Sequence, residues 1–189
     1  MSDKKIGRRD LFRKTMHSAK KVTFDLLDAG MKIKFRRKII RPPGAIAEDQ
    51  FLMACSRCDS CKDACPYNAI HKVSSVSAGV LFNTPFIDPH HEACRFCEDM
   101  PCIKACDDNA LILTDIIKPI GLAVVHREHC LVEQGQYCDY CYNSCPNSLK
   151  AIIKGEDGVP VIDADACVGC GKCAYICVSQ SGPAIKITP

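Results

Sequence analysis

Sixteen cysteines fall into four groups of four, with none left over. The first is Cys55, Cys58, Cys61 and Cys65, and the second is Cys94, Cys97, Cys102 and Cys106. Cys130, Cys138, Cys141 and Cys145 form the third, and Cys167, Cys170, Cys173 and Cys177 the fourth. The outer two groups read C-x2-C-x2-C-x3-C, the ligand spacing of a 4Fe–4S cluster. Two residues between cysteines let a short loop wrap a cubane and offer it three sulfurs. The chain cannot bend back in three more residues, so the fourth sulfur of each cluster comes from elsewhere. In two-cluster ferredoxins the fourth cysteine of each motif reaches the neighbouring cluster. Four quartets therefore imply four 4Fe–4S clusters and the passage of single electrons among them.

The inner groups are less regular. The second, C-x2-C-x4-C-x3-C, stretches its middle gap around Met100 and Pro101, and the third, C-x7-C-x2-C-x3-C, holds Cys130 apart. Each still offers four thiols. Pro66 follows Cys65 and Pro146 follows Cys145, turning the chain after the fourth ligand. Asp107 and Val178 stand at the matching places in groups two and four, a departure in turn chemistry only. Disulfides fit poorly, since C-x2-C-x2-C packs thiols too densely for a stapled fold. Zinc favours pairs of cysteines from two separate knuckles, so a zinc-binding interaction module is the weaker reading. Catalytic cysteines come singly beside a base, not in quartets.

His90, His91, His126 and His129 lie near the cysteine groups, but every group already has four thiols, which points to surface or supporting positions. Tyr67, Tyr137, Tyr140, Tyr142 and Tyr175 are expected to shield the clusters from water. Lys62, Lys104 and Lys172 fall inside motifs and are expected to offset cluster charge or meet an acidic partner. No dinucleotide or P-loop motif is visible, and no serine–histidine–acid set stands out. The chain reads as an electron-transfer subunit without a substrate of its own.

These groups need elements to hold them. Each is followed by a short turn and an apolar pair: Ala69-Ile70, Ala110-Leu111, Ala151-Ile152 and Ala184-Ile185. Apolar runs also lead into three groups, as Phe86-Ile87, Val124-Val125 and Val161-Ile162. All are too short for helices and suit two-stranded β-ribbons, with small helical turns joining the third and fourth cysteines. Residues 73–86 read as a loop or hairpin. The chain has no tryptophan and only 6% aromatics, so its apolar core is thin.

The formal net charge of +3 hides an asymmetry: residues 1–41 carry a net +10 and the remainder a net −7. Residues 1–44 read as a basic amphipathic helical arm, with Leu11, Thr15, Ala19, Val22, Leu26 and Leu27 recurring at helical steps and Pro42-Pro43-Gly44 stopping them. The arm suits a solvated helix, docking on a partner subunit, self-assembly into a longer wire, or peripheral contact with anionic lipid. Its apolar stripe lacks interleaved aromatics and the body is acidic, which argues against nucleic acid. No stretch is apolar enough to span a membrane. Gly7-Arg8-Arg9-Asp10-Leu11-Phe12 resembles the head of a twin-arginine export signal. Charged residues interrupt the segment where an apolar region should follow, so the head reads as vestigial and the cytoplasm is favoured over periplasmic export.

Val161 to Cys173 resembles the signature of bacterial-type ferredoxins. Cys94-Arg95-Phe96-Cys97-Glu98-Asp99-Met100-Pro101-Cys102 is similar to the second motif of four-cluster subunits in molybdenum and tungsten oxidoreductases. Tyr137-Cys138-Asp139-Tyr140-Cys141 is most similar to ferredoxin-type proteins of the MauM/NapG family. The resemblance covers about Ala45 to Pro189. It implies an α+β fold of two bacterial-ferredoxin-like modules over residues 45–189, relaying electrons between a redox donor and a catalytic oxidoreductase subunit. Many members of the MauM/NapG family are membrane-associated or periplasmic and quinol-linked, whereas a cytoplasmic relative would suit a molybdenum or tungsten enzyme such as an aldehyde oxidoreductase.

The resemblance to four-cluster subunits also implies nested pairing. One cluster would take Cys55, Cys58, Cys61 and Cys177, and its neighbour Cys167, Cys170, Cys173 and Cys65. The inner pair would take Cys94, Cys97, Cys102 with Cys145, and Cys130, Cys138, Cys141 with Cys106. The shared regular spacing of the outer motifs agrees with this; adjacent pairing, first with second and third with fourth, is the alternative.

A thin core makes metal ligation part of folding. Stripping the iron by oxidation and chelation is expected to leave a largely unfolded chain. Far-UV circular dichroism checks this, and a near-native spectrum without iron would refute it.

Overall fold

The computed structural model describes residues 39–116, 118–146 and 148–189. The chain divides between Phe35 and Arg36, and the second unit, Arg36–Pro189, holds every described residue. The expected arm helix lies almost wholly outside them.

The described chain is built from short pieces. Helices run four to seven residues, and six strands run three or four: β1 (Ile70–Lys72), β2 (Pro85–Ile87), β3 (Leu122–Val125), β4 (Ile152–Lys154), β5 (Pro160–Ile162) and β6 (Ile185–Thr188). The strands are rich in Ile and Val, whose branched side chains suit a pleated surface. They form three antiparallel ribbons: β1 with β2, β3 with β6, and β4 with β5. The apolar pairs expected to form ribbons do so, with Ile70 opposite Ile87, Ile152 opposite Ile162 and Val125 opposite Ile185.

One topology occurs twice. In the first module the β1–β2 ribbon lies between cysteine groups one and two. The ends close by an antiparallel bridge of Ala45 with Leu111, reinforced by Ile46 N–H donating to Ala110 O (3.2 Å) and Ile112 N–H to Gly44 O (2.8 Å). In the second module β4–β5 lies between groups three and four, and β3–β6 closes the ends. Segments before the odd group and after the even group thus pair in both modules. The segment read as loop or hairpin is the loop of the β1–β2 hairpin, and two 3-10 turns kinked at Gly79 occupy its Val76–Leu81 stretch.

The cores are small, as the aromatic count implied. Ile40, Phe51, Ile70, Ile87, Ile103 and Leu111 are among the residues centring the first module, and Ala123, Ile152, Ala174 and Ile185 the second. Ile187 packs against both.

The boundary of the arm at residue 44 needs correcting. Ile40, Arg41, Pro42 and Pro43 are buried in the first module, and Ile40 bridges to Ile87. Arg41 is wholly buried. Its guanidinium pairs with buried Glu48 at 2.5 Å, donates to Thr84 Oγ1 (2.8 Å) and Pro85 O (2.7 Å), and stacks 4.4 Å from the Phe51 ring centroid. One cation therefore joins the entering chain, the Glu48–Ala54 helix and the start of β2. The sequence counted Arg41 with a basic arm because its partners lie seven and more than forty residues away.

Removing one member of a buried ion pair costs about 3–5 kcal/mol, because it leaves a desolvated charge behind. Arg41→Met should therefore lower the thermal midpoint of the holoprotein, and adding Glu48→Gln should recover part of the loss. Thermal bleaching of the visible absorption checks both; an unchanged midpoint in Arg41→Met would show that the ion pair does not hold this module together.

Candidate metal centre

Each third cysteine occupies the second residue of a short helix: Cys61 in Ser60–Asp63, Cys102 in Pro101–Lys104, Cys141 in Tyr140–Ser144 and Cys173 in Lys172–Tyr175. The helical turns expected between third and fourth cysteines are present in all four groups. Before three of these helices the backbone turns left-handed, at Asp59 (φ 73°), Met100 (φ 43°) and Gly171 (φ 86°). Earlier in the same loops Arg57, Phe96 and Gly169 also take positive φ. Such conformations cost roughly 1–3 kcal/mol at residues with side chains and persist where the surroundings over-determine them. Here they curl the loop so that its cysteines face inward. The two extra residues of the second motif, Glu98 and Asp99, fall before Met100, and the final turn is preserved.

After the fourth cysteine the chain turns with or without proline. Asn68 N–H donates to Cys65 O and Asn109 N–H to Cys106 O, both asparagines at positive φ, although only Cys65 precedes a proline.

The thiols gather in four small pockets. The first is lined by Cys55, Cys58, Cys61 and Cys106, and the second by Cys94, Cys97, Cys102 and Cys65. The third is lined by Cys130, Cys138, Cys141 and Cys177, and the fourth by Cys167, Cys170, Cys173 and Cys145. All sixteen cysteines are used once. The nested pairing is therefore incorrect: Cys106, not Cys177, completes the first set, and Cys177, not Cys106, the third. Cys65 and Cys145 likewise join the second and fourth sets, so the exchange is between adjacent motifs. The reason is the ribbon topology, which closes each adjacent pair of motifs into its own module. Side chains add local ties. Ser56 N–H donates to Asp108 Oδ2 (2.8 Å), joining motif one to motif two, and Ser179 Oγ donates to His129 O (2.6 Å), joining motif four to the start of motif three.

The donor sets fit a cubane better than a single ion. All sixteen cysteines are free thiols. Among the described residues, no three His, Cys, Asp or Glu side chains gather closely enough to hold one metal ion. Burial pushes the thiols of Cys61, Cys94 and Cys173 up to about 12 and those of Cys102 and Cys141 up to about 11, with neighbouring thiols adding to the effect. Without iron these groups hold their protons, so metal loading must displace them. Cys58 is exposed, and a hydrogen bond from Ser60 (3.3 Å) holds its thiol below the usual range. Backbone N–H groups also reach sulfur, from Phe96 to Cys94 (3.5 Å) and from Leu111 to Cys106 (3.4 Å), contacts of the kind that set cluster potentials.

Other sequence expectations fare unevenly. None of the four thiol-lined pockets is lined by His90, His91, His126 or His129. Lys62 and Lys172 line the first and fourth pockets, and Lys172 draws the Cys170 thiol down against the effect of burial. The tyrosine shield does not hold as expected. Tyr67 and Tyr140 edge their pockets, but all five rings are exposed, Tyr137 by 86%. Aliphatic side chains do the shielding, among them Leu111 at the first pocket, Ile70 and Ile87 at the second, Val125 and Ile185 at the third, and Ile152 and Ile187 at the fourth. Arg57 was not singled out in the sequence. It latches the 3-10 insert onto the first motif, donating to Phe82 O (3.1 Å) and Val80 O (3.2 Å). No local pattern betrays a contact made across more than twenty residues.

Comparison with known proteins agrees with this chemistry. Residues 52–71 and 159–181 each match a family model described as a 4Fe-4S binding domain. Over 164 residues the chain is 41% identical to the ferredoxin-type protein NapG of Escherichia coli, covering 79% of this chain and 70% of that protein. It is also 41% identical over 162 residues to the methylamine utilization ferredoxin-type protein MauM of Methylobacillus flagellatus, covering 80% and 68%. A ferredoxin-type protein NapF of E. coli is 30% identical over 140 residues, covering 73% and 79%. No solved structure matches. Two modules of paired cysteine motifs, 4Fe–4S domain matches in each, and this identity over most of the chain place the protein in the NapG/MauM family of ferredoxin-type electron-transfer proteins.

Proposed function

We propose that this chain relays single electrons through four 4Fe–4S clusters inside a NapG/MauM-type electron-transfer complex, between a redox donor and a catalytic oxidoreductase. The observation that carries this is the gathering of sixteen thiols into four pockets of four. When bound, such clusters supply one-electron storage at potentials tuned by hydrogen bonds, charge and burial. The chain's residues hold and insulate. Three cysteines of each motif grip from one side, the exchanged cysteine grips from the other, and aliphatic side chains keep water off. The amides of Phe96 and Leu111 and the charge of Lys172 favour the more negative state beside them.

The relatives favour the NapG/MauM reading over a subunit of a molybdenum or tungsten aldehyde oxidoreductase. A quinol-linked donor, as the family resemblance implies, is the reading to test first. The two 4Fe-4S binding-domain matches speak against the zinc module.

Anaerobically purified protein should be brown and carry about sixteen iron and sixteen labile sulfide per chain. A fully folded, colourless preparation would overturn the reading.

The pairing has its own test. Cys106→Ser should perturb the same cluster as Cys55→Ser, and Cys65→Ser the same cluster as Cys94→Ser. EPR of the reduced variants checks this. Matching signatures for Cys55→Ser and Cys177→Ser would instead restore the nested arrangement.

A further inference from the structure

Four clusters in two modules conduct as one path only if the modules bring one set of each within tunnelling reach of the other. In the first module, Cys61 of the first set lies near enough to Cys102 of the second for their charges to interact. In the second module, Cys173 of the fourth set stands in the same relation to Cys141 of the third. Between modules the contact is a backbone hydrogen bond: Cys94 N–H donates to Cys170 O at 2.9 Å. Cys94 belongs to the second set and Cys170 to the fourth.

That contact depends on two buried glycines. Gly169 and Gly171 flank Cys170, both at positive φ. A Cβ on Gly171 would lie 2.5 Å from Pro89 Cβ, in the turn leading to Cys94. A Cβ on Gly169 would lie 2.2 Å from Gly121 O, in the segment joining the modules. Both gaps are too short for any side chain. Beside them Ile120 N–H donates to Val168 O at 3.0 Å. A close-packed seam between the modules thus runs through the ligand loop of the fourth motif.

We propose that the Cys94–Cys170 contact, held by Gly169 and Gly171, is where electrons cross between modules. The pockets then lie in the order first, second, fourth, third, which differs from their order along the chain. The first and third sets are the two ends, where outside donor and acceptor must approach. Both ends are open to them: Cys58 is exposed at the first, and Tyr140 and Val178 are exposed at the rim of the third. Each hop moves one electron from a reduced set to its oxidised neighbour, with no bond broken. The inference rests on the four-cluster reading proposed above.

The test uses the full-length holoprotein, with iron content measured first. Gly171→Ala should keep its iron and the spin coupling within each module, but lose the magnetic coupling between modules in the EPR spectrum of the reduced protein. Adding Pro89→Gly removes the ring atoms the new methyl would strike and should restore part of the coupling, the strain of a side chain at φ 86° remaining. A fully loaded Gly171→Ala with unchanged cross-module coupling would overturn the inference.

A second pair of variants asks the same question without touching the seam. Losing an end set through Cys58→Ser should leave the other three sets coupled in a row. Losing an inner set through Cys97→Ser should isolate the first set from the second module. The reverse pattern would also overturn the proposed order. Wild-type protein with well under sixteen iron would count against the four-cluster reading instead.

Discussion

One constraint organises the molecule: a loop of three closely spaced cysteines can grip a cubane from one side only. The fourth sulfur has to arrive from another stretch of chain, and here it arrives from the adjacent motif. With a cluster in each pocket, every module would be cross-linked twice, once in each direction. The ribbons, the Ala45–Leu111 bridge and the Ser56–Asp108 hydrogen bond all serve this exchange. They bring the start of one motif against the end of the next, which is where the exchanged cysteine sits.

The same constraint explains why so little ordinary core is needed. Strands of three or four residues and helices of four to seven bury few apolar groups, and below a certain size a domain relies on metals or other cross-links. Cysteine is part of what is buried: Cys94, Cys102, Cys130 and Cys173 stand beside Ile, Val and Ala. Against this background a buried guanidinium is unexpected. Arg41 is tolerated because carboxylate, hydroxyl, carbonyl and ring face surround it, and it gives the entering chain a geometry that apolar contacts alone would leave loose.

Electron transfer asks for proximity without collision. The chain meets that demand with left-handed backbone inside the motifs. Residues with side chains adopt it at Arg57, Asp59, Phe96 and Met100. Where the fourth motif's loop packs on Gly121 and Pro89 a Cβ has no room, and Gly169 and Gly171 occupy those positions.

Much of the site was legible from spacing. The four cysteine quartets, the helical turn at each third cysteine and the ribbons from Ala-Ile and Val-Ile pairs all follow from local pattern, because the cysteines and the turn of each group lie within one short stretch of chain. Pairing was not legible. The regular spacing shared by the outer motifs suggested that they belong together, but spacing governs how a loop wraps a cluster, not which loop supplies the fourth sulfur. That was decided by strand pairing, β3 with β6 and Ala45 with Leu111, between segments more than sixty residues apart. The role of Arg41 and the seam at Cys170 were hidden for the same reason. The amino-acid order by itself determined the cofactor, since ligand chemistry is local; only the tertiary structure decided the partners of each cysteine and the adjacency of the sets, since those depend on distances that close when the whole chain folds.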